Sequence, residues 1–167
     1  MTTENVSTTP TTTRAEAIVD FLEGEGVDYE LIEHEPTMSA AAEARTMHQS
    51  PDQVAKTIVL HDGSVYVIVA IPASERLDMH KLREVLGATR RLNLAGEDEI
   101  AREFPTLEVG AVPPFGPMVP AAEVIDSALL EQPRILCPAG DHRHSVLLDL
   151  RDVVGITGAS TAYICQD

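Results

Sequence analysis

The sequence predicts an α+β fold: a single domain built on a mixed, curved central β-sheet flanked by helices. Three observations carry this expectation. Residues 57–60 and 65–71 are β-rich runs on either side of Asp62-Gly63, a pair suited to a tight hairpin turn that needs positive φ. Both runs are apolar almost throughout, which marks central strands covered on two faces rather than an amphipathic edge. Around this hairpin, strands and helices interleave without a regular βαβ rhythm, as they do in α+β proteins.

Taken in order, residues 1–12 are Thr-rich with no apolar periodicity and are expected to form a disordered tail, leaving 13–167 as the folded domain. Thr13 and Glu16 fit a capping box that opens a helix through about Glu25, with Ile18, Val19 and Leu22 inward and Gly26 at its end. Residues 29–34 alternate as a strand that Pro36 stops, and 39–47 are Ala-rich and helical. Ser50-Pro51-Asp52-Gln53 is a second capping box with Pro at the first helical position, and it delivers the chain to Lys56.

After the hairpin, 78–86 reads as a helix with Leu82, Val85 and Leu86 on one face and Gly87 closing it. A strand at 89–94 and a helix at 97–104 follow. Residues 107–119 form the most unusual loop, with Gly110, Pro113, Pro114, Phe115, Gly116 and Pro117 close together. Its prolines stiffen the backbone while its glycines let it approach something closely. Short strands are expected at 123–126, 134–137 and 145–150, a turn at 139–141 and a short helix starting over 149–154. From Ile156 onward the chain reads as a weakly specified tail.

A chain of 167 residues that is 44% hydrophobic can bury a core without disulfides or metals. The two cysteines, Cys137 and Cys165, are isolated, which favours a reducing, cytoplasmic setting. No apolar run reaches the roughly 18 residues of a membrane helix, and the N-terminus lacks the pattern of a signal peptide. A net charge of −15 argues against indiscriminate nucleic-acid binding, although five basic residues fall between Arg76 and Arg91. There is no GxGxxG and no Walker loop, so no cofactor is expected.

Lys56 is one of two lysines and stands at the mouth of the first hairpin strand. It can snorkel into water or hold an anion in a cleft. His142 and His144 are two apart at an expected strand entry, a spacing that puts both on one face of a strand. They fit a polar strand end, pocket residues or half of a metal site, for which His61 is the near candidate as third ligand. The metal reading ranks behind the other two.

The segment Val54-Ala-Lys56-Thr-Ile-Val-Leu60, the loop containing Gly110 and Gly116, Val-Ile-Asp126, and Ala139-Gly140 before an apolar strand occur in that order. Together they resemble the YbaK-type aminoacyl-tRNA deacylases, also called the prolyl-tRNA-synthetase-associated editing domain, over about residues 29–154. The resemblance implies the fold of that family and hydrolysis of the ester joining a wrong amino acid to the terminal adenosine of tRNA. It implies catalytic roles for Lys56, Gly110 and Gly116, with Lys56 on a phosphate or hydroxyl of the terminal nucleotide. Thr57, Pro114, Phe115, Gly140, His142 and His144 would then contact substrate.

In this family the substrate's own ribose hydroxyl is thought to help activate the nucleophile. The segment Asp141-His142-Arg143-His144-Ser145 is richer in histidine than the family's pattern. A trans-editing hydrolase leads among the functions, with the acceptor end of a mischarged tRNA as partner and a synthetase as a further one. A non-catalytic binding module of the same fold is the alternative, and no membrane partner is expected.

Overall fold

The computed structural model describes residues 14–87, 91–115 and 121–167. The expected tail, the capping Thr13, Arg90 and Gly116 lie outside them. The first element is α1 (Arg14–Gly24), whose Ile18 and Leu22 are fully buried. Strand β1 (Tyr29–Glu33) follows, then α2 (Ala40–Thr46), whose first turn is capped by Ser39 accepting from the Ala42 amide. Ser50 caps a one-turn 3₁₀ helix (Pro51–Gln53) that leads into β2 (Ala55–His61).

The hairpin forms as expected. Strand β3 (Tyr66–Pro72) pairs antiparallel with β2, His61 facing Tyr66 and Lys56 facing Ile71. The turn is held by Asp62 Oδ1, which accepts from the Ser64 and Val65 amides, and Gly63 takes φ +95°. Next come α3 (Met79–Leu86), capped by Asp78 and closed by left-handed Gly87, then β4 (Asn93–Leu94) and α4 (Glu97–Glu103). The rest is β5 (Ala122–Asp126), α5 (Ser127–Leu130), β6 (Ile135–Pro138), β7 (His144–Leu148), α6 (Leu150–Thr157) and β8 (Ser160–Ala162).

Among the described residues the strands form two sheets. A mixed sheet runs β4-β2-β3-β5-β8, in which β5 is parallel to β3 and β8 to β5, and an antiparallel sheet runs β1-β7-β6. They meet where Val54, just before β2, bridges to Leu136 on β6. Strand β3 is central and covered on both faces: Val67, Val69 and Ile71 pack toward Leu82 of α3, while Ala70 packs toward Phe115, Leu129 and Val146. Such burial, at roughly 25 cal/mol per Å² of apolar surface, is the main favourable term for the fold.

Three expectations change. The strand expected over 89–94 is confined, among the described residues, to Asn93–Leu94. Helix α5 was not expected: Asp126 caps it by accepting from the Ala128 amide at 2.7 Å. The segment after Ile156 is not a loose tail. Its β8 lies against β5, Cys165 bridges to Leu77, and Ile164 is fully buried with its amide donating to Asp126 Oδ2 at 2.9 Å. Tertiary pairing overrides the weak local pattern there.

Candidate active site

The seam between the two sheets leaves a groove at the start of β2. Ala55, Lys56 and Thr57 form one wall, Pro138 of β6 another, and Met38, Ser39, Ala40 and Glu43 at the start of α2 a third, with Gly110 at the base. Its volume is about 180 Å³. A second, smaller lobe continues past Ser39, Glu43, Gly110 and Pro138 to His34, Asp141, His142, His144 and Ser145.

Lys56 is held in place. Its Nζ donates to the Glu75 carbonyl oxygen at 2.9 Å, which uses one of three ammonium hydrogens and orders the side chain at the groove's edge. Thr57 follows, and its Oγ1 is buried with no hydrogen-bond partner. Burying an unpaired hydroxyl costs about 1–3 kcal/mol, so an orphan lining a groove marks a place for a ligand atom.

Gly110 has φ +89°, which favours glycine, and a Cβ built there would stand 3.3 Å from His142 Cε1 and 3.5 Å from the Met38 carbonyl oxygen. Its loop is tied to the β6–β7 turn: the Gly140 amide donates to the Ala111 carbonyl at 3.0 Å, and the Glu108 amide donates to the Gly140 carbonyl at 2.8 Å. Gly140 therefore fixes the loop from behind.

His142 is positioned by its backbone, its amide donating to Glu108 Oε1 and its carbonyl accepting from the Thr37 amide, while its buried Nδ1 has no partner. His144 is engaged, its Nδ1 3.0 Å from Asp141 and its Nε2 3.8 Å from Glu33. The two histidines thus border the same lobe but differ: one has an open ring nitrogen, the other is anchored.

Two expected contact residues do not reach the groove. Phe115 is fully buried in the core, its ring stacked on Phe21 with centroids 6.3 Å apart, and Pro114 beside it is buried too. They brace the loop from inside. His61 cannot join His142 and His144: it lies at the far end of β2, 3.6 Å from Glu99. Arg91 stands two residues before β4, which pairs with β2 at Leu60 and His61, so it too is at the far end. Arg143 is exposed on the β6–β7 turn, whose Asp141, His142 and His144 line the smaller lobe.

Sequence reading missed His34, Glu43 and Ser145. Glu43 is 5% exposed and Ser145 1%, and they hydrogen-bond to each other, with His34 Nε2 2.8 Å from Ser145 Oγ. The available signal was a single acid, Glu43, amid the alanines of α2. Burial pushes its carboxyl above the usual range, opposed by the Ser145 hydrogen bond and the nearby His34.

A larger cavity of about 470 Å³ is lined by Asp52, Glu75, Asp126, Glu131 and Asp167, with Lys81 the one cation among its lining residues. Its carboxylates would repel a phosphate, so the smaller groove is the better place for a nucleotide end.

Compared with known proteins, the family described as the aminoacyl-tRNA editing domain matches residues 34–156, most of the chain and every groove residue named above. The chain belongs to this family. It is an aminoacyl-tRNA deacylase, a hydrolase that edits mischarged tRNA. It is 25% identical over 151 residues to the prolyl-tRNA editing protein ProX of Acetoanaerobium sticklandii, covering 87% of this chain and 91% of that one.

Its fold also matches a crystal structure of a candidate trans-editing enzyme for prolyl tRNA synthetase, with TM-score 0.80 and 23% identity. That match covers 96% of this chain and 100% of the other, and at this identity it supports the fold alone. No helix among the described residues is long and apolar enough to cross a membrane.

Proposed function

We propose that the protein acts in trans on a tRNA that accepts proline, removing a small wrong amino acid whose ester sits in the groove at the sheet seam. The name of the Acetoanaerobium sticklandii relative supports the choice of tRNA. One observation carries the placement: the Lys56 ammonium, the orphaned Thr57 hydroxyl and the positive-φ Gly110 border a single groove of about 180 Å³.

An aminoacyl ester is already activated, so the site has to position it, stabilise the developing oxyanion and admit water. Lys56 holds a phosphate or hydroxyl of the terminal nucleotide at the groove's edge. Backbone amides of the loop at Gly110 face the carbonyl oxygen, donors that no side chain has to supply. Thr57 Oγ1 and His142 Nδ1 complete their hydrogen bonds on the amino acid or ribose, with His144 anchored beside His142 in the smaller lobe. Pro114, Phe115 and Gly140 keep the loop rigid.

Only the acceptor end enters, which suits an acidic surface, and a synthetase partner supplies further hold on the tRNA body. The two free cysteines fit a cytoplasmic location. The test is a deacylation panel of Cys-, Ala-, Ser- and Thr-tRNA with wild type and Lys56→Ala. Cleavage of none of them by the wild type overturns the reading. In a salt series the tRNA affinity should fall with a shallow slope, on the order of one to three ions. Arg143→Glu should weaken binding, whereas Arg91→Glu should not.

A further inference from the structure

Beneath the groove, three residues from three elements are linked through side chains that the roles above do not use. His34, just past β1, has Nδ1 2.7 Å from the Glu35 carbonyl oxygen and Nε2 2.8 Å from Ser145 Oγ on β7. Ser145 also hydrogen-bonds Glu43 Oε2 on α2. Glu43 and Ser145 are buried, and Glu43 lines both lobes of the groove.

Counting hydrogens restricts what this chain can hold. The Glu35 carbonyl can only accept, so Nδ1 carries a hydrogen. Ser145 has one hydrogen and two partners, so one partner must donate to it. Two arrangements satisfy both contacts. In the first, protonated Glu43 donates to Ser145, and Ser145 donates to neutral His34. In the second, the His34 imidazolium donates to Ser145, and Ser145 donates to the Glu43 carboxylate. Both contain the same number of protons. Ionised Glu43 beside neutral His34 leaves one contact unmade, which is costly in a buried site.

We propose that His34, Ser145 and Glu43 form a one-proton relay in which Glu43 is the general acid–base for ester hydrolysis and the other two are positioning residues. This rests on the deacylase reading of the same groove. As water adds to the ester carbonyl carbon, the Glu43 carboxylate takes one of its protons. The bond from that carbon to the ribose oxygen then breaks, and Glu43 returns the proton to the ribose oxygen. The water oxygen stays with the amino acid, whose carboxylic acid releases its remaining proton to solvent, and Glu43 ends as it began.

The His34 imidazolium keeps the carboxylate form accessible where burial alone opposes it. The other ionisable groups around Glu43 are few. Cys137 of β6 is buried and stays a thiol, Lys56 faces the groove from β2, and the β6–β7 turn brings His142 and the Asp141–His144 pair. Glu33 and Glu35 are exposed on the outer side of His34.

The experiment measures kcat and KM across pH for wild type, Glu43→Gln and Ser145→Ala on the aminoacyl-tRNA panel, together with a nitrogen-15 NMR titration of His34. Glu43→Gln still accepts a hydrogen bond from Ser145 but holds no proton. It should lower kcat about 10²–10⁴-fold with little change in KM and abolish the acidic limb of the kcat profile. Ser145→Ala should move that limb to higher pH, because the carboxylate loses its hydrogen bond.

The pH response of the His34 ring signals should differ between Glu43→Gln and wild type, because the partner that shares the proton is gone. A Glu43→Gln enzyme with the wild-type kcat and acidic limb overturns the catalytic role and leaves only a structural clip. An unchanged His34 titration overturns the relay. If Glu43→Gln does not fold, Ser145→Ala decides by the same limb and the same titration. If the wild type cleaves no member of the panel, the deacylase reading fails together with the role of Glu43, and the titration still decides the shared proton.

Discussion

At one end of β2, His61 and Tyr66 face each other across the hairpin and share Glu99: the Tyr66 hydroxyl donates to Glu99 Oε2 at 2.7 Å, and His61 Nε2 lies 3.6 Å from Oε1. Tyr66 also packs edge-on against Phe104, centroids 5.3 Å apart. At the other end Lys56 has one tether, the Thr57 hydroxyl has none, and the strand faces a groove. The same strand thus completes its polar contacts internally at one end and leaves them incomplete at the other. A fold gains by pairing buried polar groups wherever nothing else is to bind. Groups left unpaired beside a cavity are the ones a substrate completes.

The largest effect that would break this contrast is expected at Gly110. Gly110→Val forces a branched side chain into positive φ and against His142, moving the loop off the ester. Activity should fall about 10²-fold or more with a nearly unchanged far-UV spectrum. Full activity would reduce the loop to a turn.

Lys56→Ala comes next. Loss of a charge-assisted contact of roughly 1.5–3 kcal/mol should slow deacylation about 10–150-fold, with thermal stability nearly unchanged because the side chain is only tethered at an edge.

A matched pair sharpens the comparison further. Thr57→Val removes the orphaned hydroxyl without changing shape, so it should stabilise the protein by about 1 kcal/mol while lowering kcat/KM. Tyr66→Phe at the far end should do the reverse, lowering Tm by about 2–4 °C and leaving kcat/KM unchanged. If the two variants trade these effects, the site has been placed at the wrong end of the strand.

The smallest effect on activity is expected at an orphan away from the groove. Glu123 on β5 has a buried Oε2 without a partner, and burial pushes its carboxyl up from 4.5 to about 7, with a Thr157 hydrogen bond opposing. Between those values the folded state keeps a proton that the unfolded state has lost. Stability therefore falls as pH rises from about 4.5 to about 7 and is level above, a cost of about 1–3 kcal/mol. Denaturant melts of Glu123→Gln across this range should lack that decline. Deacylation by the variant should be unaffected, which separates a buried group that burdens the fold from one that serves the site.

Local patterns alone determined much of this protein. The apolar runs on either side of Asp62-Gly63, the capping residues Ser39, Ser50 and Asp78, and Gly87 each act within a few residues, so hairpin and helices were legible from neighbours. Lys56, Thr57 and Gly110 were legible as candidates because a cation at a strand mouth and a glycine among prolines stand out locally, and the resemblance gave them roles. What only the tertiary structure decided depends on long-range pairing.

The split into two sheets follows from β1 pairing with β7, and β8 forms only because β5 offers an open edge. Phe115 left the predicted contact set because the core needed its ring against Phe21. The link from His34 through Ser145 to Glu43 joins residues 111 and 102 positions apart. No periodicity records such a contact, since side chains that distant meet only once packing has fixed the elements that carry them.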